Sequence, residues 1–332
     1  MAGGNGTRLR PLTCQLPKPM VPIVNKPVMG YIVELLKEYG VEDIAVTLAY
    51  LPGKVKDYFG NGADHGVNMQ YFIEESPLGT AGSVKNTGEF LQDTFIVISG
   101  DALTDVDIAQ AIAFHRQRGS LATLVLHRQP VPLEYGVVVT DKEARITRFL
   151  EKPSWGEVFS DTVNTGIYIL EPAVMDYLAP GEKHDFSKDL FPRLLADGIP
   201  MYGYITEGYW CDIGDLSSYR QANFDALSGK VKVAIDGRQV QPGIWLHEGC
   251  QLEEGVDLVP PLYIGRGCSL VSGVSVGPNT VLGAHCHIEV GASLKQAVLW
   301  NHCRLGRHCE VRGATLCNNV TLALGARLFE DS

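Results

Sequence analysis

Every sixth residue from Leu246 to Leu294 is aliphatic: Leu246, Leu252, Leu258, Ile264, Leu270, Val276, Leu282, Ile288 and Leu294. After a slip of one residue the series resumes at Leu299, Leu305 and Val311, and after a second slip at Leu316, Leu322 and Leu328. An α-helix repeats every 3.6 residues and a strand every second one, so neither sustains a period of six over such a length. Hexapeptide repeats of this kind make a parallel β-helix, in which each aliphatic side chain points into a narrow prism and glycines serve the corners. The pattern predicts such a domain over residues 240–332.

The position four after each aliphatic residue must also be small or apolar. Cys250, Cys268, Cys286, Cys303 and Cys309 fall there, alongside Val274, Thr280 and Ala292. A metal site is the sharper alternative, because His285-Cys286-His287, His302-Cys303 and His308-Cys309 offer suitable ligand types. Packing already accounts for the inward cysteines, and zinc ligands show closer paired spacing, so reduced structural thiols are expected.

Residues 1–229 read differently. From Val28 to Ser228 helical and strand-like segments alternate, the signature of a parallel or mixed sheet covered by helices. "VMGYIVELLKEYG" places Ile32, Leu35, Leu36 and Tyr39 on one helical face, and "DIAQAIAFHRQRG" turns Ile108, Ala111, Ile112 and His115 inward. "DIAVTL", "TFIVISGD", "YGVVVT", "ITRFLE", "TGIYIL" and "MYGYIT" read as strands, and "LSSYRQANFDALSG" closes this half as a helix. Active sites of open α/β sheets collect at strand ends such as Gly100-Asp101.

The 332 residues carry a formal net charge of −10, which argues against long nucleic acid as a partner and leaves room for a local pocket gripping small phosphates. No apolar run approaches the roughly 20 residues that span a bilayer, and no signal peptide opens the chain, so the expected location is the cytoplasm.

"GGNGTRL" lacks the GxGxxG dinucleotide pattern and the GKS or GKT ending of a P-loop, and by itself a flexible turn would explain it. Its sequel is more telling. Arg8 ends the loop and Lys18 stands between two prolines that restrict its backbone. Two fixed cations beside glycine N–H groups suit a triphosphate.

From here the chain resembles the sugar-1-phosphate nucleotidyltransferases, also called NDP-sugar pyrophosphorylases. The resemblance runs through the glycine loop, TRL-x-PLT and PKP of Gly3 to Lys18, then "PLGTAG" (Pro77–Gly82), "SGD" (Ser99–Asp101), "YGVV" (Tyr135–Val138), "EKP" (Glu151–Pro153), "NTG" (Asn164–Gly166) and "WCDIGD" (Trp210–Asp215). "PLGTAG", "FSKDLFP" and the repeat tail look most like mannose-1-phosphate guanylyltransferases. The resemblance implies an α/β, Rossmann-like (GT-A-like) mixed sheet, followed by the left-handed hexapeptide β-helix of many sugar-nucleotide enzymes.

It also implies the chemistry. A sugar phosphate oxygen attacks the α-phosphorus of a nucleoside triphosphate in line and pyrophosphate leaves, so positioning and charge neutralisation carry the catalysis. Asp101 and Asp212 would hold Mg2+, a hard cation that prefers carboxylate oxygens. Arg8 and Lys18 would stabilise the departing phosphates, and Lys152 would bind the attacking sugar phosphate. Glu151, Gly136 and Asn164 would contact the sugar; Glu151 and Lys152 can share a site only if their strand ends or bends there. Ala2, Gly3, Gly4, Gly6, Thr7, Gly79, Thr80 and Gly82 would form the nucleotide wall, with backbone groups reading a base edge. Asp189 of "FSKDLFP" matches an acidic position of open role.

The leading expectation is GDP-mannose from GTP and mannose-1-phosphate. Alternatives are a glucose-1-phosphate enzyme using UTP, dTTP, CTP or ATP, a non-catalytic regulatory subunit of the same fold, and an acyltransferase activity of the β-helix. The β-helix is expected to mediate homo-oligomer contacts. Members of the family carry a hydrophobic strand before the glycine loop; a first strand missing from the given chain, weak folding around the loop and a missing phosphomannomutase-like domain beyond the repeat are the corresponding expectations.

Overall fold

The computed structural model describes residues 1–4, 6–154, 156 and 160–330. The chain separates into two compact units: residues 1–5, 17–19 and 32–212 form the first, and residues 6–16, 20–31 and 213–332 the second. Among the described residues no helix is long and apolar enough to cross a membrane.

The first unit is built on a six-stranded mixed sheet. Its strands run in the order Met201–Ile205, Ala122–Arg128, Thr162–Leu170, Gly136–Thr140 and Ile146–Glu151, with Phe95–Ile98 also paired to Thr162–Leu170. Only Met201–Ile205 and Ala122–Arg128 are parallel; the other pairs are antiparallel. Two apolar clusters cover the sheet, one holding Leu124, Leu126, Tyr168, Phe186 and Phe191, the other Ile98, Val125, Ile167, Ile169 and Trp210. The helix Ile108–Arg118 buries Ile108, Ala111 and His115 as its spacing predicts; the Asp107 carboxylate caps its start by accepting the Gln110 N–H, and Gly119 ends it with φ +56°.

The strand Thr162–Leu170 organises the sheet. Ile167 to Leu170 pair with Phe95–Ile98, whereas Val163 pairs with Val137, and the register shifts between Asn164 and Tyr168. At that bulge Gly166 takes φ +75°, where a side chain would meet Ser99 Cβ at 3.1 Å. The Gly166 carbonyl at the bulge accepts the Ser99 N–H at 3.1 Å and so holds the end of the Phe95–Ile98 strand, from which Ser99, Gly100 and Asp101 emerge. Met1 and Ala2 bridge two separate strands: the Met1 amino group donates to Ile98 O at 2.8 Å, Gly100 N–H to Met1 O at 2.7 Å, and Ala2 N–H to Thr47 O at 2.9 Å.

The second unit contains a parallel β-solenoid of about five turns, matching the hexapeptide left-handed β-helix. Its three sheets stack strands 17 or 18 residues apart in register, as in Leu270 on Ile288 and Ile288 on Leu305. The repeating aliphatic residues from Ile264 to Leu316 are buried inside the prism. Cys268, Cys286, Cys303 and Cys309 are buried with them, and every cysteine is free. Each inward thiol finds a carbonyl, as in Cys268 to Gly283 O at 3.0 Å and Cys303 to Cys317 O at 3.2 Å. His285, His302 and His308 stand at exposed corners with left-handed backbone, on the other side of the wall from the sulfurs. Among the described residues no three metal-ligating side chains gather, so the histidine–cysteine pairs are corner and core residues.

Within this unit the helix Leu216–Leu227 carries a capping box at Asp215 and Ser218, and its Tyr219 is fully buried. The Tyr219 hydroxyl donates to Pro22 O at 2.8 Å and accepts the Trp300 indole N–H at 2.8 Å. Removing that hydroxyl strands two buried polar groups. Tyr219→Phe should therefore lose about 1–3 kcal/mol of stability in urea unfolding, more than an exposed hydrogen bond would cost.

Candidate active site

Lys18 sits on a 3-10 turn, Lys18–Met20, between two buried prolines, and is itself only 9% exposed. Its Nζ lies 2.7 Å from Asp101 Oδ2 and 3.0 Å from Asp212 Oδ1. The two acids converge because the strand Trp210–Asp212 pairs antiparallel with Ala102–Thr104, setting Asp212 opposite Ala102 beside Asp101. Ser99 adds a hydroxyl that donates to Asp101 Oδ1 at 2.5 Å. Gly100 is required between them, since a Cβ there would meet Met1 O at 2.9 Å.

Burial opposes the charges of Lys18 and Asp101, and the pairing overrides it. Desolvation would raise the Asp101 carboxyl, but the Lys18 ammonium and the Ser99 hydroxyl hold it below its usual range. Desolvation likewise would lower Lys18, and the two carboxylates lift it above the ordinary lysine value. Two carboxylates directed at one point form a hard-oxygen donor set that fits Mg2+, with water and phosphate oxygens completing its shell. No third acidic, histidine or cysteine ligand joins them among the described residues.

The strand Ile146–Glu151 ends where the sequence requires, because Lys152 takes φ +46° and donates its N–H to Tyr135 O at 3.1 Å. Glu151 lies opposite Gly136 in the sheet, and a Cβ on Gly136 would come within 2.9 Å of both Glu151 Oε2 and Phe149. Gly136 is thus the residue over which the Glu151 carboxylate folds. Burial first, then the charge of Asp185, pushes the Glu151 carboxyl above its normal value despite Lys152 and Lys188.

The remaining assignments divide. Asn164 sits at the bulge but spends its amide on the protein: Nδ2 donates to Tyr168 OH at 2.9 Å and Ser187 Oγ at 3.3 Å, and Oδ1 accepts the Gly166 N–H at 3.0 Å. Within the 79–82 stretch the Ala81 and Gly82 N–H groups are engaged, both donating to His184 O at 3.0 Å. Close packing explains the glycines. A Cβ on Gly79 would lie 2.4 Å from His184 O and one on Gly82 2.7 Å from Glu182 O. Ala2 is buried, Gly3 touches Ala49 and Glu74 closely enough that a Cβ would make ordinary contact, and Gly4 is exposed with open space around it.

Gly6, Thr7 and Arg8 belong to the second unit. Gly6 is left-handed before the 3-10 turn Thr7–Leu9, its carbonyl accepts the Thr13 hydroxyl at 2.7 Å, and the exposed Arg8 guanidinium helps hold the Asp215 carboxyl low, behind the Ser218 N–H. The sequence motif alone carries their assignment.

Ser99 and Asp185 escaped the sequence reading. Ser99 stood inside the quoted "SGD", so its signal was present. Asp189 proves to be a local cap accepting the Asp185 N–H at 2.7 Å, while its neighbour Asp185 faces the site loops.

A model of the nucleotidyl transferase family matches residues 1–229, and a GlmU-like C-terminal hexapeptide model matches residues 259–332. The chain belongs to the nucleotidyl transferase family. It is 42% identical to a UTP–glucose-1-phosphate uridylyltransferase of Synechocystis over 74% of this chain and 67% of that one. It is 34% identical to a mannose-1-phosphate guanylyltransferase of Mycobacterium tuberculosis, covering 78% and 75% respectively. Among solved structures, a putative glucose-1-phosphate thymidylyltransferase from Bacillus anthracis superposes with a TM-score of 0.63 at 27% identity, over 70% of this chain and 95% of that one. Within the family it is a sugar-1-phosphate nucleotidyltransferase.

Two outcomes test the site's construction. Gly136→Ala should cost about 1–3 kcal/mol in thermal unfolding, since the added methyl must displace Glu151 or Phe149. Lys18→Met should reverse a slope. In the wild type the depressed Asp101 makes stability rise with pH through the ordinary carboxylate range, the unfolded chain binding the proton more tightly. Without Lys18, burial raises Asp101, the native state holds the proton more tightly, and stability should instead fall as pH rises above the ordinary carboxylate value near 4, read as urea midpoints between about pH 3 and 6.

Proposed function

We propose that the protein transfers guanylyl from GTP to mannose-1-phosphate, releasing pyrophosphate and GDP-mannose. The observation that carries a nucleotidyl-transfer reading is the Lys18–Asp101–Asp212 cluster, one cation and two carboxylates at the ends of neighbouring strands. Mannose and guanine are supported by "PLGTAG", "FSKDLFP" and the hexapeptide tail, and by the relatives named mannose-1-phosphate guanylyltransferase, including those of M. tuberculosis and rice.

In this reading Asp101 and Asp212 hold Mg2+, which supplies neutralisation of phosphate charge. Lys18 orients both carboxylates and offers its ammonium to the triphosphate, concentrating positive charge where pyrophosphate departs. Lys152, exposed at the end of its strand, positions the attacking sugar phosphate, and Glu151 accepts hydrogen bonds from sugar hydroxyls. The chemistry asks these groups to align the attacking oxygen with the scissile bond rather than to exchange protons.

A second reading, UTP with glucose-1-phosphate, is favoured by the 42% identical Synechocystis relative. Five nucleoside triphosphates crossed with mannose- and glucose-1-phosphate, with Mg2+ and a pyrophosphate-release readout, separate them. GTP with mannose-1-phosphate should give the highest kcat/KM; a maximum at UTP with glucose-1-phosphate establishes the second reading, and nucleotide-sugar binding without turnover by any pair would point to a regulatory subunit.

A further inference from the structure

Two loops that the reaction assigns to different substrates are locked together at Asp185. Its Oδ2 accepts the Thr80 hydroxyl at 2.9 Å, and its Oδ1 accepts the N–H groups of Ser187 at 2.9 Å and Lys188 at 3.2 Å. Thr80 Oγ1 in turn accepts the Phe186 N–H at 3.0 Å. The lock is closed one residue earlier, where His184 O accepts Ala81 and Gly82 and the His184 N–H donates to Leu78 O at 2.8 Å. From the far side of the same turn, Ser187 Oγ accepts from Asn164 at the bulge.

Thr80 lies in the stretch assigned to the nucleotide, while Asn164 and Glu151 lie on the sugar side. Thr80 is exposed and could leave its hydroxyl to water, yet it is tied to a carboxylate 105 positions away. That carboxylate also caps the helical turn Phe186–Leu190. The turn cannot shift without moving both loops.

We propose that Asp185 is a positioning residue that joins the nucleotide loop to the sugar-phosphate side, so that a change at Thr80 weakens sugar-phosphate binding. This rests on the nucleotidyl-transfer reading above. Asp185 touches no reacting atom in this role; it sets where Ser187, and through it Asn164, stand.

The test measures KM for each substrate and kcat, by pyrophosphate release, in Thr80→Val, Asp185→Ala, Asp185→Asn and the Thr80→Val/Asp185→Ala double variant. Thr80→Val removes two hydrogen bonds of the lock and Asp185→Ala three, and each should raise KM for the sugar 1-phosphate about tenfold, a larger effect than on kcat. The double variant should be no worse than Asp185→Ala, because both remove one connection. Asp185→Asn, whose amide oxygen still accepts from the turn and whose amide N–H can donate to the Thr80 hydroxyl oxygen, should recover most of the affinity.

An unchanged sugar-phosphate KM in Thr80→Val, or additive effects in the double variant, would overturn the proposal while leaving an active wild type and its reaction intact. If Asp185→Ala fails to fold, Thr80→Val decides alone, since it leaves the cap on Ser187 and Lys188 in place. A wild-type protein that turns over no substrate pair overturns both the reaction and the coupling.

Discussion

One ammonium ion organises the first unit. Lys18, Asp101 and Asp212 come from three distant stretches of chain, and burial alone would disfavour the charges of Lys18 and Asp101. Two half-buried carboxylates at this separation repel, and the lysine turns repulsion into a network whose members hold one another charged. The sheet supplies the geometry: the Trp210–Asp212 strand fixes one acid against the loop of the other, and the bulge at Gly166 holds Ser99, two residues before Asp101, by its carbonyl. Without the lysine, that arrangement would leave two carboxylates facing one point with no opposing charge.

Much of this was legible in the residues because it rests on patterns that repeat or on pairs of unusual residues. The six-residue period could be met only by a solenoid, and the prism it implies is the one observed, with aliphatic residues and thiols inside. Lys18 between two prolines and Asp101 after a buried strand both announced restricted, polar positions. The bend at Lys152 followed from Pro153 and the need to place two adjacent side chains together.

What stayed hidden depends on contacts between segments far apart in sequence. Nothing in "PLGTAG" discloses that the N–H groups of Ala81 and Gly82 are consumed by His184 O, nor that Asn164 gives its whole amide to Tyr168, Ser187 and Gly166. A glycine-rich loop looks the same whether its glycines admit a ligand or another loop. Asp185 and Asp189 are equally acidic and four residues apart, and only the fold shows which one turns back as a cap and which one reaches Thr80.

The packing of this loop constrains its sequence. Gly79 and Gly82 are forced by the backbone at residues 182–184, which would collide with any Cβ, so packing alone suffices to explain them. The same packing engages the Ala81 and Gly82 N–H groups with His184 O, and one Glu74 carboxylate oxygen with the Leu78 N–H at 2.9 Å. Hydrogen-bonding groups discriminate between ligands more sharply than apolar fit, because a wrong partner leaves them unpaired. The contacts that fix the loop therefore reduce the number of its polar atoms left for any ligand.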